Sequence, residues 1–392
     1  LPQVSVTGQV NHSFIVQQMS KGFSLGNDPY TTLSGAVDAS VPLFAPQVYR
    51  MMKMNDKQMA TAVEAARSSR ITLTAEVKKA FYNILLAEQS LATLEESRAT
   101  IQRTVDDTKV KFEQGVASEY DYLTAQVELS NLLPTITQTK NSIRVAMLQL
   151  KMYLSVPEAL SIELVGNLDE MKDVVLAGGE TLSTDVSRNS DLRALDIQAE
   201  MLRYQLKTTN AARIPTVAAF GSATITGNDM EDFRKMVSGG AEAGKGEAVA
   251  DLNSSKYFWT HPISVGVQIS IPIFSGLKNS YKSRQVKNQI EQLDLQRDYA
   301  QRQTTVAVES AINNLLTARE TMLAQARTMA QADKAYHISD TRFRAGAGTI
   351  LELNSAQLNR TQAHLNYSQA IYDYLSAQAD YDRIVGREVG GN

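Results

Sequence analysis

Shortly after each of two matching glycines, Gly115 and Gly346, a hydroxyl is followed three residues later by an acid: Ser118 by Asp121, and Thr349 by Glu352. That spacing is a capping box, in which hydroxyl and carboxylate satisfy free backbone donors at a helix start. An acid there also suits the positive end of the helix dipole. No other grouping points to chemistry. His12, His261, His337 and His364 are scattered without ligand spacing, so no metal site is expected. There is no phosphate loop, nucleophile elbow or acid–base pair. Cysteine is absent, which excludes disulfides and thiolate metal sites. The residues imply neither an enzyme nor a cofactor.

The elements around the two pairs are unusual. Gln47–Gln114 and Leu277–Ala345 contain no glycine or proline, although the chain holds 21 glycines and 9 prolines, and each stretch runs directly into a glycine, Gly115 and Gly346. At about 1.5 Å per residue each would make a helix on the order of 100 Å long. Val77, Ile84 and Leu91 recur every seven residues, interleaved with Ala80, Ala87, Leu94 and Ile101. Val308, Leu315, Met322 and Met329 repeat the spacing. A seven-residue spacing marks a coiled-coil seam, so the methionines read as core. Shorter helices return at Ser118–Leu154, where Pro134 is expected to bend the chain, and at Thr349–Ile384.

The chain is internally duplicated. KFEQGVASEYDYLTAQ from Lys111 is matched by RFRAGAGTILELNSAQ from Arg342, and Phe112, Gly115, Ala125 and Gln126 recur 231 residues later as Phe343, Gly346, Ala356 and Gln357. Val77, Ala80, Asn83 and Leu85 recur as Val308, Ala311, Asn314 and Leu316, and Val41-Pro42-Leu43-Phe44 returns as Ile271-Pro272-Ile273-Phe274. Leu1-Pro2-Gln3-Val4 likewise resembles Ile214-Pro215-Thr216-Val217. A helix near Ser190–Ala211 feeds only the second of these, so a segment before Leu1 is expected.

Ahead of each long helix the sequence alternates. Val4, Val6, Val10 and Phe14 oppose Ser5, Thr7, Gln9, Asn11 and Ser13; Leu33, Val37, Ala39, Val41 and Leu43 oppose Thr32, Ser34, Asp38 and Ser40. The fourth strand is read as one run in which Trp259, Ile263, Val265, Val267, Ile269, Ile271 and Ile273 share a face. The third, Thr216–Thr226, is too rich in small residues to assign faces. Long strands with one apolar face suit a membrane barrel, or an amphipathic sheet over a soluble core. Tyr257, Phe258 and Trp259 at a strand end favour an interfacial girdle. Residues 229–256 read as a long exposed loop. Four strands are too few to close a barrel, and an open edge cannot sit in lipid, so a membrane role would require several chains. The net charge of −3, without a basic patch, argues against nucleic acid. No run is apolar enough for a transmembrane helix and no signal peptide is visible at Leu1.

Taken together, the duplication, the VPLF/IPIF junctions, the unbroken helices and the paired tip motifs at Phe112–Gln126 and Phe343–Gln357 resemble the TolC family of bacterial outer-membrane efflux proteins over nearly the whole chain. The resemblance implies a membrane α+β fold and a homotrimer. Each protomer would give four strands to a twelve-stranded β-barrel in outer-membrane lipid, continued by a long periplasmic α-barrel. It implies a passive exit duct of an efflux or type I secretion system, meeting a periplasmic adaptor (membrane fusion protein) at its helix tips and energised by an inner-membrane pump.

On that reading, residues 1–46 and 214–275 are barrel hairpins, 47–154 and 276–385 helical hairpins, 155–213 an equatorial region with the helix to the second repeat, and 386–392 a tail. The resemblance places Asp121 and Glu352 as acidic rings at the periplasmic mouth, where charged rings select cations. It places Gly115, Val116, Ala117, Ser118, Gly346, Ala347, Gly348 and Thr349 at the adaptor, while the bottom-up reading of the same glycines is a tight turn. The family's gate often carries a basic residue and a second acid in the second tip. Here those positions hold Gly348 and Ser355, leaving Arg342, Arg344, Lys109 and Lys111 as substitutes. The rival reading is a periplasmic coiled-coil adaptor or scaffold, which would need neither the duplication nor the second strand pair.

Overall fold

The computed structural model describes residues 2–14, 30–177, 182–228 and 258–388. The loop expected at 229–256, Tyr257 and the end of the tail lie outside the described residues. In chain order the elements are β1 (Gln3–Ser13), β2 (Tyr30–Phe44), α1 (Pro46–Glu113), α2 (Glu119–Tyr153), α3 (Leu168–Ala177), α4 (Ser190–Ala211), β3 (Thr216–Asn228), β4 (Phe258–Thr260), β5 (Ile263–Ser270), α5 (Lys278–Arg344) and α6 (Ile350–Val385). Both long helices form without interruption, and α2 continues through Pro134. The chain divides into two compact units. One takes the described residues of Leu1–Lys57 and Glu200–Glu291, the other Gln58–Ala199 and the described residues of Gln292–Asn392.

The first unit holds one antiparallel sheet in the order β1-β2-β3, with β4 and β5 both pairing β3. The expected fourth strand is thus broken in two, at His261-Pro262. Proline has no N–H for the ladder and is tolerated only at an edge. The carbonyl of Pro262 still accepts from Thr224 N at 2.9 Å, which carries pairing across the break. The strand also ends at Ser270, so Ile271 and Ile273 lie beyond it, in a segment that Pro272 punctuates.

Register settles the faces of β3. Residues paired across an antiparallel ladder point to the same side. Val6 pairs Val37, Val37 pairs Ala223 and Ala223 pairs Ile263; two residues on, Val4, Ala39, Gly221 and Val265 form the next row. One face therefore collects Val4, Val6, Val10, Leu33, Val37, Val41, Val217, Ala219, Ala223, Ile225, Ile263, Val265, Val267 and Ile269. Its members are uncovered: Val6 is 76% exposed and Val265 85%. The opposite face carries Ser5, Thr7, Gln9, Ser34, Asp38, Ser40, Ser222, Thr224, Ser264 and Gln268. Phe220 is the exception there, and its ring packs where a Cβ on Gly266 would stand.

The second unit is a helical packing along the heptad seams. Ile84, Ala146 and Leu150 join α1 to α2, and Ile101, Val105 and Ala125 do so nearer the tip. Leu85, Leu168, Leu315, Met322, Ile371 and Leu375 draw α1, α3, α5 and α6 into one core, so Met322 is packing. Polar ties fix the segment between α3 and α4. Tyr381, fully buried, accepts from Ser183 N at 2.8 Å and donates to Ser183 O at 3.0 Å. Asn189 caps α4 by accepting from Asp191 N and Leu192 N, and donates to Ile384 O at 2.8 Å. Lys172 on α3 reaches Asp169 and the Tyr367 hydroxyl of α6; burial works against its charge, but those partners raise its pKa well above the ordinary lysine value.

Arg67 is the densest tie. It donates to Glu64 at 2.8 Å, Glu388 at 2.5 Å, Ser190 Oγ at 3.0 Å, Gly386 O at 2.9 Å and Arg188 O at 3.2 Å. This binds α1 to the start of α4 and to the end of α6. Gly386 closes α6 with φ +79°, and a Cβ there would stand 2.2 Å from Arg188 O, so only glycine lets the two segments meet.

Candidate functional site

Both expected tip turns form, and they differ. In the first, Gly115 takes φ +74°, and Val116 N and Ala117 N return to Lys111 O at 2.8 and 3.1 Å. In the second, Gly346 takes φ +71° and Ala347 N returns to Arg342 O at 2.8 Å. These bonds satisfy the last carbonyls of α1 and α5. Gly348 is tight for another reason: a Cβ would meet Phe343 N at 3.1 Å. Val116 and Ala347 project outward, Val116 at 75% exposure.

The first capping box is complete. Ser118 Oγ accepts from Asp121 N at 3.2 Å, and Asp121 Oδ2 accepts from Ser118 N at 3.2 Å and from Ser118 Oγ at 2.7 Å. The second is half made. Thr349 Oγ1 accepts from Glu352 N at 3.2 Å, while the Glu352 carboxylate lies 3.7 Å from Arg342 Nη1. Among the four substitute cations, Arg342 is therefore the one that pairs with a tip acid. Arg344 is taken by Asp340 at 3.0 Å, which raises its pKa, and Lys109 lies 4.0 Å from Glu113. Lys111 stands 4.5 Å over the Phe343 ring and so links the two tips within one chain, a contact that sequence spacing does not reveal. Phe112 stacks on Tyr122 at 6.0 Å between ring centres, bracing the first hairpin end.

The other candidate feature is the two-faced sheet. Its uncovered face is largely aliphatic across all four strand positions, and its other face is mostly hydroxyl and amide, with Asp38 and Phe220 the exceptions. Trp259 lies on the apolar side over Gly227, whose Cβ would meet the indole at 2.9 Å. Phe258 is placed by its backbone in β4, paired with Asn228. Among the described residues no helix is long and apolar enough to cross a membrane, which does not bear on a barrel. Nor do they hold any cluster of three or more histidines and carboxylates that could bind a metal ion.

A sequence model described as "Outer membrane efflux protein" matches residues 1–155 and 182–387. The chain belongs to the outer membrane efflux protein family. It is similar to "Outer membrane protein TolC" of Escherichia coli (strain K12), 20% identical over 360 residues that cover 90% of this chain and 70% of the relative. It is also similar to "Alkaline protease secretion protein AprF" of Pseudomonas aeruginosa, at 21% identity with 94% of this chain and 72% of the relative covered. The solved structure of CusC superposes with a TM-score of 0.73 at 16% identity, covering 99% of this chain and 84% of that one. The fold expected from the resemblance is the fold observed: long coiled-coil helices and four antiparallel strand positions in a duplicated chain. As a member of this family the protein is a non-enzymatic efflux channel of the Gram-negative outer membrane, and the scaffold reading is displaced.

Proposed function

We propose that three copies of the chain close one twelve-stranded barrel, with residues 1–46 and 214–275 as barrel hairpins and 47–154 and 276–385 lining a periplasmic duct. The observation that carries this is the uncovered aliphatic face bounded by two open edges, β1 on one side and β4 with β5 on the other. Lipid covers such a face, but it cannot satisfy the backbone groups of an open edge. A neighbouring copy satisfies both edges at once. Trp259 then sits at a membrane interface, where aromatic rings are favoured.

The tips Gly115–Ser118 and Gly346–Thr349 dock a periplasmic adaptor, which joins the duct to an inner-membrane pump. The duct passes what the pump delivers, so relatives named for efflux and for protease secretion are compatible with one design. Ala347→Trp tests the docking, because Ala347 is exposed and leaves the strained Gly346 turn untouched. The variant should still assemble as a trimer and lose pump-driven efflux; retained efflux would count against tip docking.

Asp121 and Glu352 form acidic rings at the periplasmic mouth. Arg342 offsets the charge of Glu352, whereas the Asp121 cap contains no cation. Asp121→Asn should therefore weaken cation preference in single-channel recordings more than Glu352→Gln does, and the reverse order would sink this assignment. Asparagine keeps an acceptor for the cap, so the helix start survives.

A further inference from the structure

The polar face of the sheet carries no charge but one. Among the described strand residues Asp38 is the only carboxylate, and no lysine or arginine is present. It lies on an inner strand, one residue past the midpoint of β2, in a row that crosses all four strand positions: Ser5, Asp38, Ser222 and Ser264 pair in register. Ser222 Oγ donates to Asp38 Oδ1 at 2.7 Å. Serine hydroxyls orient toward a carboxylate without neutralising it, and among the described residues no cation shares the face.

We propose that Asp38 makes the barrel section of the channel prefer cations, as a second selective ring separate from the helix tips. This rests on the trimeric reading, in which three-fold symmetry sets three Asp38 carboxylates at one height in the lumen. Twelve strands about 4.8 Å apart, tilted by about 40°, give a backbone radius of roughly 12 Å. The screening length is about 30 Å at 0.01 M salt and about 3 Å at 1 M. The ring's field therefore reaches the axis in dilute salt and fails to reach it in concentrated salt. Small cations pass the barrel more readily than anions of equal size, and the preference fades as salt rises.

Asp38 could instead serve only to tie β2 to β3, and the test separates the two roles. Asp38→Asn removes the charge but keeps an acceptor for Ser222, and Asp38→Ser, which completes the serine row, is a second neutral variant. Each is made in a chain whose tip acids are already neutralised by Asp121→Asn and Glu352→Gln. Reversal potentials are read in planar bilayers under a potassium chloride gradient, once in dilute and once in concentrated salt. The parent should favour potassium over chloride in dilute salt, and whichever Asp38 variant assembles should bring that ratio close to unity. In concentrated salt variant and parent should coincide. A conducting trimer whose reversal potential is unmoved by loss of Asp38 overturns this inference and leaves the channel reading intact. Absence of any conductance from the parent removes both.

Discussion

Val37→Lys should destabilise the assembled protein by about 2–4 kcal/mol per chain, the cost of a lysine near the mid-plane of the lipid face of a barrel. Val37 is the middle residue of β2, lies on an inner strand, and points to the aliphatic face between Val6 and Ala223. A central strand offers a lysine no short route to the membrane surface. Ser34→Lys is the matched control. It lies on the same strand, three residues away and on the opposite face, between Gln9 and Thr226. Heat stability of the detergent-solubilised trimer, and its yield from the outer-membrane fraction, should fall for the first variant and hold for the second. Equal tolerance of both would mean that the aliphatic face does not meet lipid.

Arg67→Met should cost about 3–5 kcal/mol, the usual penalty for stranding one member of a buried ion pair. Burial opposes the Arg67 charge, but Glu64 and Glu388 outweigh it and hold the guanidinium firmly protonated. Glu64 is only 5% exposed, and the other cation near it, Arg193, is 3.7 Å away. The loss therefore falls on a carboxylate with little water. It also frees the carbonyls of Arg188 and Gly386. The double variant Arg67→Met, Glu64→Leu should recover part of the stability, because it removes the buried carboxylate that the single variant strands, while the Arg188 and Gly386 carbonyls and Glu388 still lack their donor. Denaturation midpoints of the two variants decide the matter; if the double variant is no better than the single, stranded charge is not the cause.

Much of this fold is legible in the chain because it is written in repeated, periodic patterns. Heptads and the lack of helix breakers are local signals, and both long helices end within a residue or two of the breaker-free stretches. Alternation marks β1 and β2 because most of their apolar members are valine or leucine, and their polar members are mostly hydroxyls and amides. It fails for β3, where Ala218, Ala219, Ala223 and two glycines look alike on either side, and only pairing to β2 and β5 assigns them. Pro262 is visible in the sequence, but the alternation on either side of it stays in phase and hides the break.

The tips show the opposite limit. The motif places Ser118, Asp121, Thr349 and Glu352 correctly on helix starts, yet it cannot say which acid closes its own box and which reaches for arginine. The same holds for the duplicated glutamines. Gln126 donates to Tyr122 of its own helix at 2.8 Å, while Gln357 is buried and donates to Ser97 of α1 at 3.1 Å. Equal sequence position does not give equal neighbours, because the second hairpin is packed by elements the first lacks.

The duplication has its own seam in the middle of the sheet, where β2 of the first copy meets β3 of the second. The free edges are the complementary pair: the first strand of copy one and the last strand of copy two. In the proposed ring, each junction between chains therefore restates a junction already made inside every chain. Six half-length modules would alternate around the wall, three of their joints covalently bridged and three not. Such quasi-equivalence lets a short gene build a wide pore, and the β2–β3 register is a template for the junction between chains.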